Sequence, residues 1–468
     1  RGNHDQPIAI NALERALAEH GALAPEAPAP VQSDQTVGVI GAGPAGITCA
    51  YHLRRLGYAV TVYEANELPG GVLQYGIPPY RLPREVLARE VASLRGGGLE
   101  FRLNTRVGEQ IDFGELREKH EALFVAVGLG RARALDVVSG NADCVDSGLA
   151  FLRAVSEGTA ERVNGTIAVI GGGDVAVDAA RSARRLGATR VTLCCLESRR
   201  DMPAHAEEVE AALREGIEII NGVAPTAIEG GLSRAVVTLA RVRNVGRRSD
   251  GSMKWSLSSG TLEPLPAARV LSGLGQEPDC QFLPAECWEN GRIAVDAFGR
   301  TRLPGVFAGG DLVGLYSVVN ALGSAKRAVV GIDSYLRGTD PDRALPSIRL
   351  GDQGAFSMEA YRQWRAAAGN LPPATEQVEV ADINLDYFPK APRPHLPRLH
   401  EAQQVGSFGE VNLTLAEMQT VAEARRCFHC GLCNMCGNCF VFCPDSSVLP
   451  RGDWGFDIDL DHCKGCGV

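Results

Sequence analysis

Val37-Gly38-Val39-Ile40-Gly41-Ala42-Gly43-Pro44-Ala45-Gly46 is an apolar strand that runs into a GxGxxG turn, and the stretch ITCAYHLRRLG over 47–57 continues it as a helix. Each glycine has its own task. Gly41 permits the tight turn, Gly43 lets backbone approach a pyrophosphate, and Gly46 lets helix and strand pack closely, while the helix N-terminus faces the anion. The next apolar run, AVTVYE over 59–64, ends on Glu64, placed to accept hydrogen bonds from the ribose hydroxyls of an adenosine. A lone GxGxxG says little; strand, turn, helix and acid together specify a dinucleotide-binding unit.

The unit recurs. Thr166-Ile-Ala-Val-Ile-Gly171-Gly172-Gly173-Asp174-Val175-Ala176 repeats it with alanine in the third glycine position, followed by the helical AVDAARSARRLG and the strand RVTLCCLE. Two Rossmann-like units predict an α/β fold with two dinucleotide-binding domains. The expected layout has the first over 35–155 and 270–345, and the second over 156–269. Flanking them are an N-terminal helix and linker over 1–34 and a wrapping linker over 346–425, with a small ferredoxin-like iron–sulfur domain over 426–468. Within the first segment, Ile8, Ile10, Leu13 and Leu17 fall at helical spacing and predict an amphipathic helix over 7–20; ALAPEAPAPVQ over 22–32 reads as an extended connector.

Composition agrees with this class. The 468 residues are too many for one ordinary core, 45% are hydrophobic and 22% charged, and 54 glycines favour tight turns. A net charge of -9, with no basic stripe, argues against nucleic-acid binding. No apolar run is long enough to span a membrane and no signal pattern opens the chain, so the cytoplasm is the expected location.

The run Pro69-Gly70-Gly71-Val72-Leu73-Gln74-Tyr75-Gly76-Ile77-Pro78-Pro79-Tyr80-Arg81-Leu82-Pro83 holds too many turn formers for a helix and reads as an ordered loop over a ligand. LFVAVGLG over 123–130 and GVFAGGDLVG over 305–314 are short strands ending in glycine, the second bringing Asp311 within reach of a ribityl hydroxyl. Residues 37–345 resemble the glutamate synthase small subunit and the matching part of dihydropyrimidine dehydrogenase, most specifically through GGVLQYGIPPYRLP, which implies a two-dinucleotide-binding-domain flavoprotein with Rossmann-like FAD-binding (35–155 and 270–345) and NAD-binding (156–269) domains. That resemblance implies FAD at Gly41, Gly43, Pro44, Ala45, Gly46, Glu64, Ala65, Gly71, Val72, Arg81, Val107, Ala126, Gly128, Gly310, Asp311 and Val319. Ala325-Lys326 departs from the Gly-Arg common in the family's last helix.

For the second unit, NAD is expected at Gly171, Gly173, Asp174, Val175, Glu197, Ser198 and Gly275. Family members using NADPH carry two arginines at the end of the second strand, where guanidinium forks grip a 2′-phosphate. Leu196 and Glu197 stand there instead, which predicts NADH over NADPH, with Arg199 and Arg200 near enough to soften the preference and a merely solvated Glu197 as the alternative. Glu207, Glu208 and Glu210 read as a solvated helical face, and His205 as a surface histidine, with a catalytic role as the alternative. Adjacent Cys194 and Cys195 on one strand point to opposite faces and cannot form a CxxC redox pair.

Eight of the 14 cysteines fall between Cys427 and Cys466. Cys433-x2-Cys436-x2-Cys439-x3-Cys443-Pro444 matches the bacterial ferredoxin run, whose fourth thiolate serves the neighbouring [4Fe–4S] cluster; Cys463 and Cys466 begin the second half. Tetrahedral zinc is the alternative. Cys427 and Cys430 exceed what two clusters need: they are ligands of a further cluster or spare thiols. The chain begins at Arg1 rather than methionine and stops at Cys466-Gly467-Val468 inside a cysteine motif, so further ligands are expected beyond it, and RGNHDQPIAINALERA resembles the end of the cluster domain that precedes the family's first helix.

Nicotinamide, FAD and clusters in one chain predict an electron-transfer subunit, with flavin converting hydride pairs into single electrons. No serine–histidine–acid set or paired-carboxylate pocket provides for separate substrate chemistry. The layout resembles the NADH-binding subunits of 2-oxoacid:acceptor oxidoreductases, phenylglyoxylate dehydrogenase among them, which implies thiamine-diphosphate and ferredoxin-type partner subunits. A glutamate synthase small subunit and a non-catalytic scaffold are the alternatives.

Overall fold

The computed structural model describes residues 4–21, 30–96, 98–135, 137, 144–231, 234–247, 253–289, 291–314, 316–350, 354–370, 385, 388–428, 440–441, 443–450, 456–459 and 461–462. The two glycine-turn motifs sit at the heart of two five-stranded parallel sheets. In the first, the order across the sheet is Val306–Ala308, Ala122–Val125, Thr36–Ile40, Ala59–Tyr63, Glu100–Arg102. In the second it is Val145–Ser147, Arg269–Ser272, Thr166–Ile170, Arg190–Cys195, Glu218–Asn221. Each motif strand has its sequence successor on one side and a later strand on the other, so strand order reverses beside the glycine turn. Ligands of open α/β sheets bind at such a switch point, outside the carboxyl ends of the strands.

Both motif strands are buried on two faces, which explains their unbroken apolar character. The first sheet packs one face against the helices Pro44–Arg55 and Val318–Arg337, and the other against Phe113, Leu116, Leu283 and Ile293. The second packs against the helices Gly148–Glu157, Asp174–Arg185 and Ala206–Arg214, and across its other face against an antiparallel sheet of Val223–Gly231, Arg234–Arg247, Met253–Thr261 and Leu265–Ala267. Cys194 belongs to one of these two cores and Cys195 to the other, as strand alternation requires. Burial pushes the Cys194 thiol up to about 12 and the Cys195 thiol up to about 11, so neither is a thiolate at neutral pH.

The glycine-poor stretch after 345 is more than a strap. Its helix Met358–Ala366 buries Tyr361 and Trp364 in the first core, and the Tyr361 hydroxyl donates to the fully buried Asp333 at 2.7 Å, as does Tyr58 at 2.8 Å. From 388 to 428 the chain runs back over the N-terminal segment. The expected N-terminal helix is present as Ile10–His20, but turned. Ala9 and Ala12 pack against Leu415 and Leu396 and Ala16 is buried, while of the four apolar positions at helical spacing Ile8 and Leu13 are half-buried and Ile10 and Leu17 exposed. Close approach of the helix Glu417–Ala424 explains the turn: alanines admit it, and the buried Glu423 accepts the Ala9 N–H at 2.7 Å and the Arg426 guanidinium at 2.8 Å.

The two sheets are joined through the proline-rich loop. Tyr80 inserts into the second unit with its ring under the Arg185 and Arg181 guanidiniums, 3.8 and 4.8 Å from their carbons. Arg81 pairs with Asp178 at 2.7 Å and lies 3.5 Å from Glu208. Arg181 reaches Glu208 and, at 2.6 Å, Glu215, which also takes Arg185 at 2.6 Å. Three guanidiniums thus face three carboxylates in a largely buried cluster. Burial pushes the Asp178 carboxyl up to about 6 against the opposing pull of Arg81. Burial also acts to raise Glu215, but hydrogen bonds from Arg185 and Arg181 outweigh it and hold that carboxyl below its ordinary value. Glu208, expected on a solvated face beside Glu207 and Glu210, belongs instead to this cluster, because Arg81 and Arg181 both reach its position on the helix.

Candidate functional site

Four distant segments converge on the first glycine turn. Gly41 has φ +101°, and a Cβ there would lie 2.5 Å from the Ala126 carbonyl oxygen; a Cβ on Gly46 would collide with the Gly41 carbonyl. Gly71, at φ +55°, backs onto the Gly43 Cα, and Gly310, at φ +69°, onto the Ala45 side chain. A Cβ at either would stand 2.8 or 3.0 Å from those atoms, so the loop and the C-terminal strand close on the turn only as glycine. Gly43 itself faces open space apart from Gly71, as an approach to pyrophosphate requires. Glu64 accepts the Ala42 N–H at 2.7 Å and both Asn66 donors at 2.6–2.9 Å, which fixes its carboxylate at the turn.

The second turn solves the same steric problem with its small residues exchanged. Ala176 replaces the third glycine, and its side chain fits because residue 273, after the neighbouring strand, is glycine: a Cβ on Gly273 would come 2.8 Å from the Ala176 Cβ. In the first unit the residue types are reversed, glycine at 46 and alanine at 126 just after the strand Ala122–Val125, and what a Gly46 Cβ would meet is the Gly41 carbonyl. Gly173 meets nothing within 4 Å and leaves the nucleotide approach open. Asp174, first residue of the helix, accepts the His205 N–H at 3.0 Å and lies 2.8 Å from the His205 ring, which is exposed at the mouth of the turn. Glu197 reaches back over the turn, its Oε2 2.6 Å from where a Gly172 Cβ would stand. Its backbone carbonyl is held by Asn221 and Gly222 at 3.1 Å, and Ser198 donates to Asp201 at 2.5 Å.

A cleft of about 400 Å³ opens beside Asp311, lined among others by Leu129, Arg131, Gln276, Trp288 and Tyr316. Burial raises the Asp311 carboxyl above its ordinary range. Gly128, at φ +66°, presents open backbone nearby. Val319 and Val72 are exposed, Val107 is buried behind Ile40 and Tyr63, Ala65 follows Glu64, Val175 lies in the first turn of its helix, and Gly275 accepts the Arg133 N–H at 3.1 Å. Arg81, expected at the flavin, spends its guanidinium on Asp178 and Glu208. Tyr80, Gly273 and the His205–Asp174 contact were absent from the sequence-based site; a glycine just after an apolar strand was the only local signal for any of them.

Of the expected cluster ligands, Cys430, Cys433, Cys436, Cys439, Cys463 and Cys466 lie outside the described residues. Cys443 lies 3.2 Å from the Ser447 hydroxyl and accepts its N–H at 3.2 Å, and the hydroxyl together with neighbouring backbone N–H groups lowers the thiol's pKa, the environment a thiolate ligand needs. Cys427 follows the helix Glu417–Ala424, beside the point where Arg426 holds Asp5 and the Gln6 carbonyl.

The pyridine nucleotide-disulphide oxidoreductase family model matches residues 35–329, the stretch that holds both turns. The chain belongs to that family. The family implies FAD and NAD(P)H, and the glycine turns, open where phosphate must approach, fit both nucleotides. Relatives in this family include the NADP(+)-dependent formate dehydrogenase subunit beta of Moorella thermoacetica, 37% identical over 375 residues, 72% of this chain and 52% of the relative. The NADPH-Fe(3+) oxidoreductase subunit beta of Geobacter sulfurreducens is 30% identical over 92% of this chain and 67% of its own length. The glutamate synthase [NADPH] small chain of Azospirillum brasilense is 33% identical over 64% of this chain and 67% of its own, so the resemblance carried by GGVLQYGIPPYRLP holds. The chain thus spans about half the length of the Moorella relative. FprA from Mycobacterium tuberculosis shares the fold, with a TM-score of 0.55 and 17% identity over 72% of this chain and 91% of that one. Among the described residues, no helix is long and apolar enough to cross a membrane.

Proposed function

We propose that this chain is the FAD-containing, NADH-linked subunit of a larger cytoplasmic redox complex, passing electrons between a nicotinamide and two [4Fe–4S] clusters of a C-terminal ferredoxin-like domain. The observation that carries the reading is the presence of two open glycine turns and the Cys433–Cys443 ferredoxin spacing in one chain. Gly41–Gly46, Glu64 and Asp311 would hold FAD, and Gly171–Ala176 with Glu197 the nicotinamide dinucleotide. Bound FAD supplies the conversion between a two-electron hydride and single electrons. The protein supplies position: the Tyr80 and Arg81 interlock fixes one turn relative to the other, and the Cys443 surroundings favour a thiolate. With Cys194 and Cys195 buried on opposite faces, neither serves as a dithiol acceptor, which leaves the C-terminal cysteines to take that part.

Among complexes with this layout, a 2-oxoacid:NAD oxidoreductase of the phenylglyoxylate type fits best, with thiamine-diphosphate and ferredoxin-type subunits as partners. NADH-driven reduction of a viologen by the purified chain tests the electron-transfer role, and an inert, cofactor-loaded chain would leave only the scaffold. Isolation of the native complex with identification of its subunits tests the 2-oxoacid role; a glutaminase-bearing partner would identify a glutamate synthase instead. The names of the relatives, with Arg199 and Arg200 near the second turn, favour a second reading in which NADPH is the donor.

A further inference from the structure

The loop after the strand Arg190–Cys195 carries two arginines, yet Glu197, the acid over the second glycine turn, has no ion-pair partner among the described residues. The nearer arginine is committed elsewhere. Arg199 Nη2 donates to Glu210 Oε1 at 2.6 Å, and its Nη1 lies 3.7 Å from the Met202 sulfur. Glu210 stands on the helix Ala206–Arg214, whose first residues are tied to the glycine turn through His205 and Asp174. Within the loop itself, Asp201 takes the Ser198 hydroxyl at 2.5 Å.

We propose that Glu210 is a specificity-determining residue: by holding Arg199 on the helix Ala206–Arg214, it keeps a guanidinium off the adenosine 2′ position and leaves Glu197 to accept a free 2′-hydroxyl. This rests on the reading of Glu197 as the acid at the adenosine ribose. A 2′-phosphate would recruit Arg199 in a bidentate pair, as guanidinium forks do, but first it must take the arginine from Glu210. The pair is partly exposed, so its loss should improve a 2′-phosphate ligand about fivefold, the factor matching an exposed ion pair of about 1 kcal/mol.

Calorimetric titration with 2′,5′-ADP and with AMP reads this without any redox turnover. Glu210→Gln should tighten 2′,5′-ADP about fivefold and leave AMP unchanged; the gain should vanish in the Glu210→Gln, Arg199→Ala double variant, and Arg199→Ala alone should change neither ligand. Unchanged 2′,5′-ADP affinity in Glu210→Gln, a gain that survives without Arg199, or weakened 2′,5′-ADP binding in Arg199→Ala alone overturns the proposal. A wild-type chain that prefers 2′,5′-ADP, yet still gains through Arg199 when Glu210 is neutralised, would sink the NADH reading and sustain the clamp.

Discussion

Glu215→Gln should destabilise the protein by about 3 kcal/mol, toward the lower end of the roughly 3–5 kcal/mol range for removing one partner of a buried ion pair. The Glu215 side chain is 2% exposed and accepts five hydrogen bonds from four guanidinium nitrogens, Arg181 Nε and Nη2 and Arg185 Nη1 and Nη2, within 3.2 Å. The cluster balances Arg81, Arg181 and Arg185 against Asp178, Glu208 and Glu215. Glutamine keeps the shape and one acceptor oxygen, so the loss comes mainly from a net positive charge left on the buried Arg181 and Arg185 guanidiniums. At roughly 2–4 °C per kcal/mol for a domain of 150–250 residues, the melting temperature should fall by about 6–12 °C. Urea unfolding followed by tryptophan fluorescence measures the change, with the exposed Glu207→Gln as a control expected within about 0.5 kcal/mol of wild type. A loss below about 1 kcal/mol for Glu215→Gln would show that the cluster is hydrated, and the interlock between the sheets would lose its physical basis.

Gly273→Ala should cost about 1–3 kcal/mol, the range for overpacking, and weaken nicotinamide binding, whereas Ala126→Gly in the first unit should be tolerated; urea midpoints with calorimetric NADH titration test the pair, and equal effects would remove the exchange argument. His120 sits 2.9 Å from both the Tyr63 hydroxyl and the Thr36 hydroxyl, and burial with the nearby Lys119 lowers its pKa to about 4. Because the folded form holds the ring neutral, its contribution is present above about 6.5 and lost as pH falls toward 4, so His120→Gln should flatten that limb of a pH series of urea midpoints; parallel curves would contradict it. Cys194→Ala and Cys195→Ala should each retain NADH-driven viologen reduction, and a loss of turnover with flavin still bound would restore a thiol to the electron path.

What the sequence made legible follows from how local each signal is. The two glycine turns are read from adjacent residues because strand, turn and helix follow one another within about twenty residues, although the carbonyls that crowd Gly41 and Gly171 come from residues 126 and 273. Glu208 could not be told from Glu207 and Glu210 that way: what buries it is Arg81, on a loop far earlier in the chain. The N-terminal helix is present as expected, but its buried face was not legible, since spacing alone favours Ile10 and Leu17, while the partner helix that admits the alanines arrives from beyond residue 416. The exchange of small residues between Gly46 with Ala126 and Ala176 with Gly273 became visible only once the strands lay side by side.

The most direct test of the account is an anaerobic titration of the purified chain with NADH, watched through the visible flavin absorption band. A yellow protein bleached stoichiometrically by NADH, at concentrations where NADPH does little, is the expected result. A colourless chain, or a yellow one that NADH leaves unchanged, would contradict the pairing of the two glycine turns as flavin and nicotinamide sites.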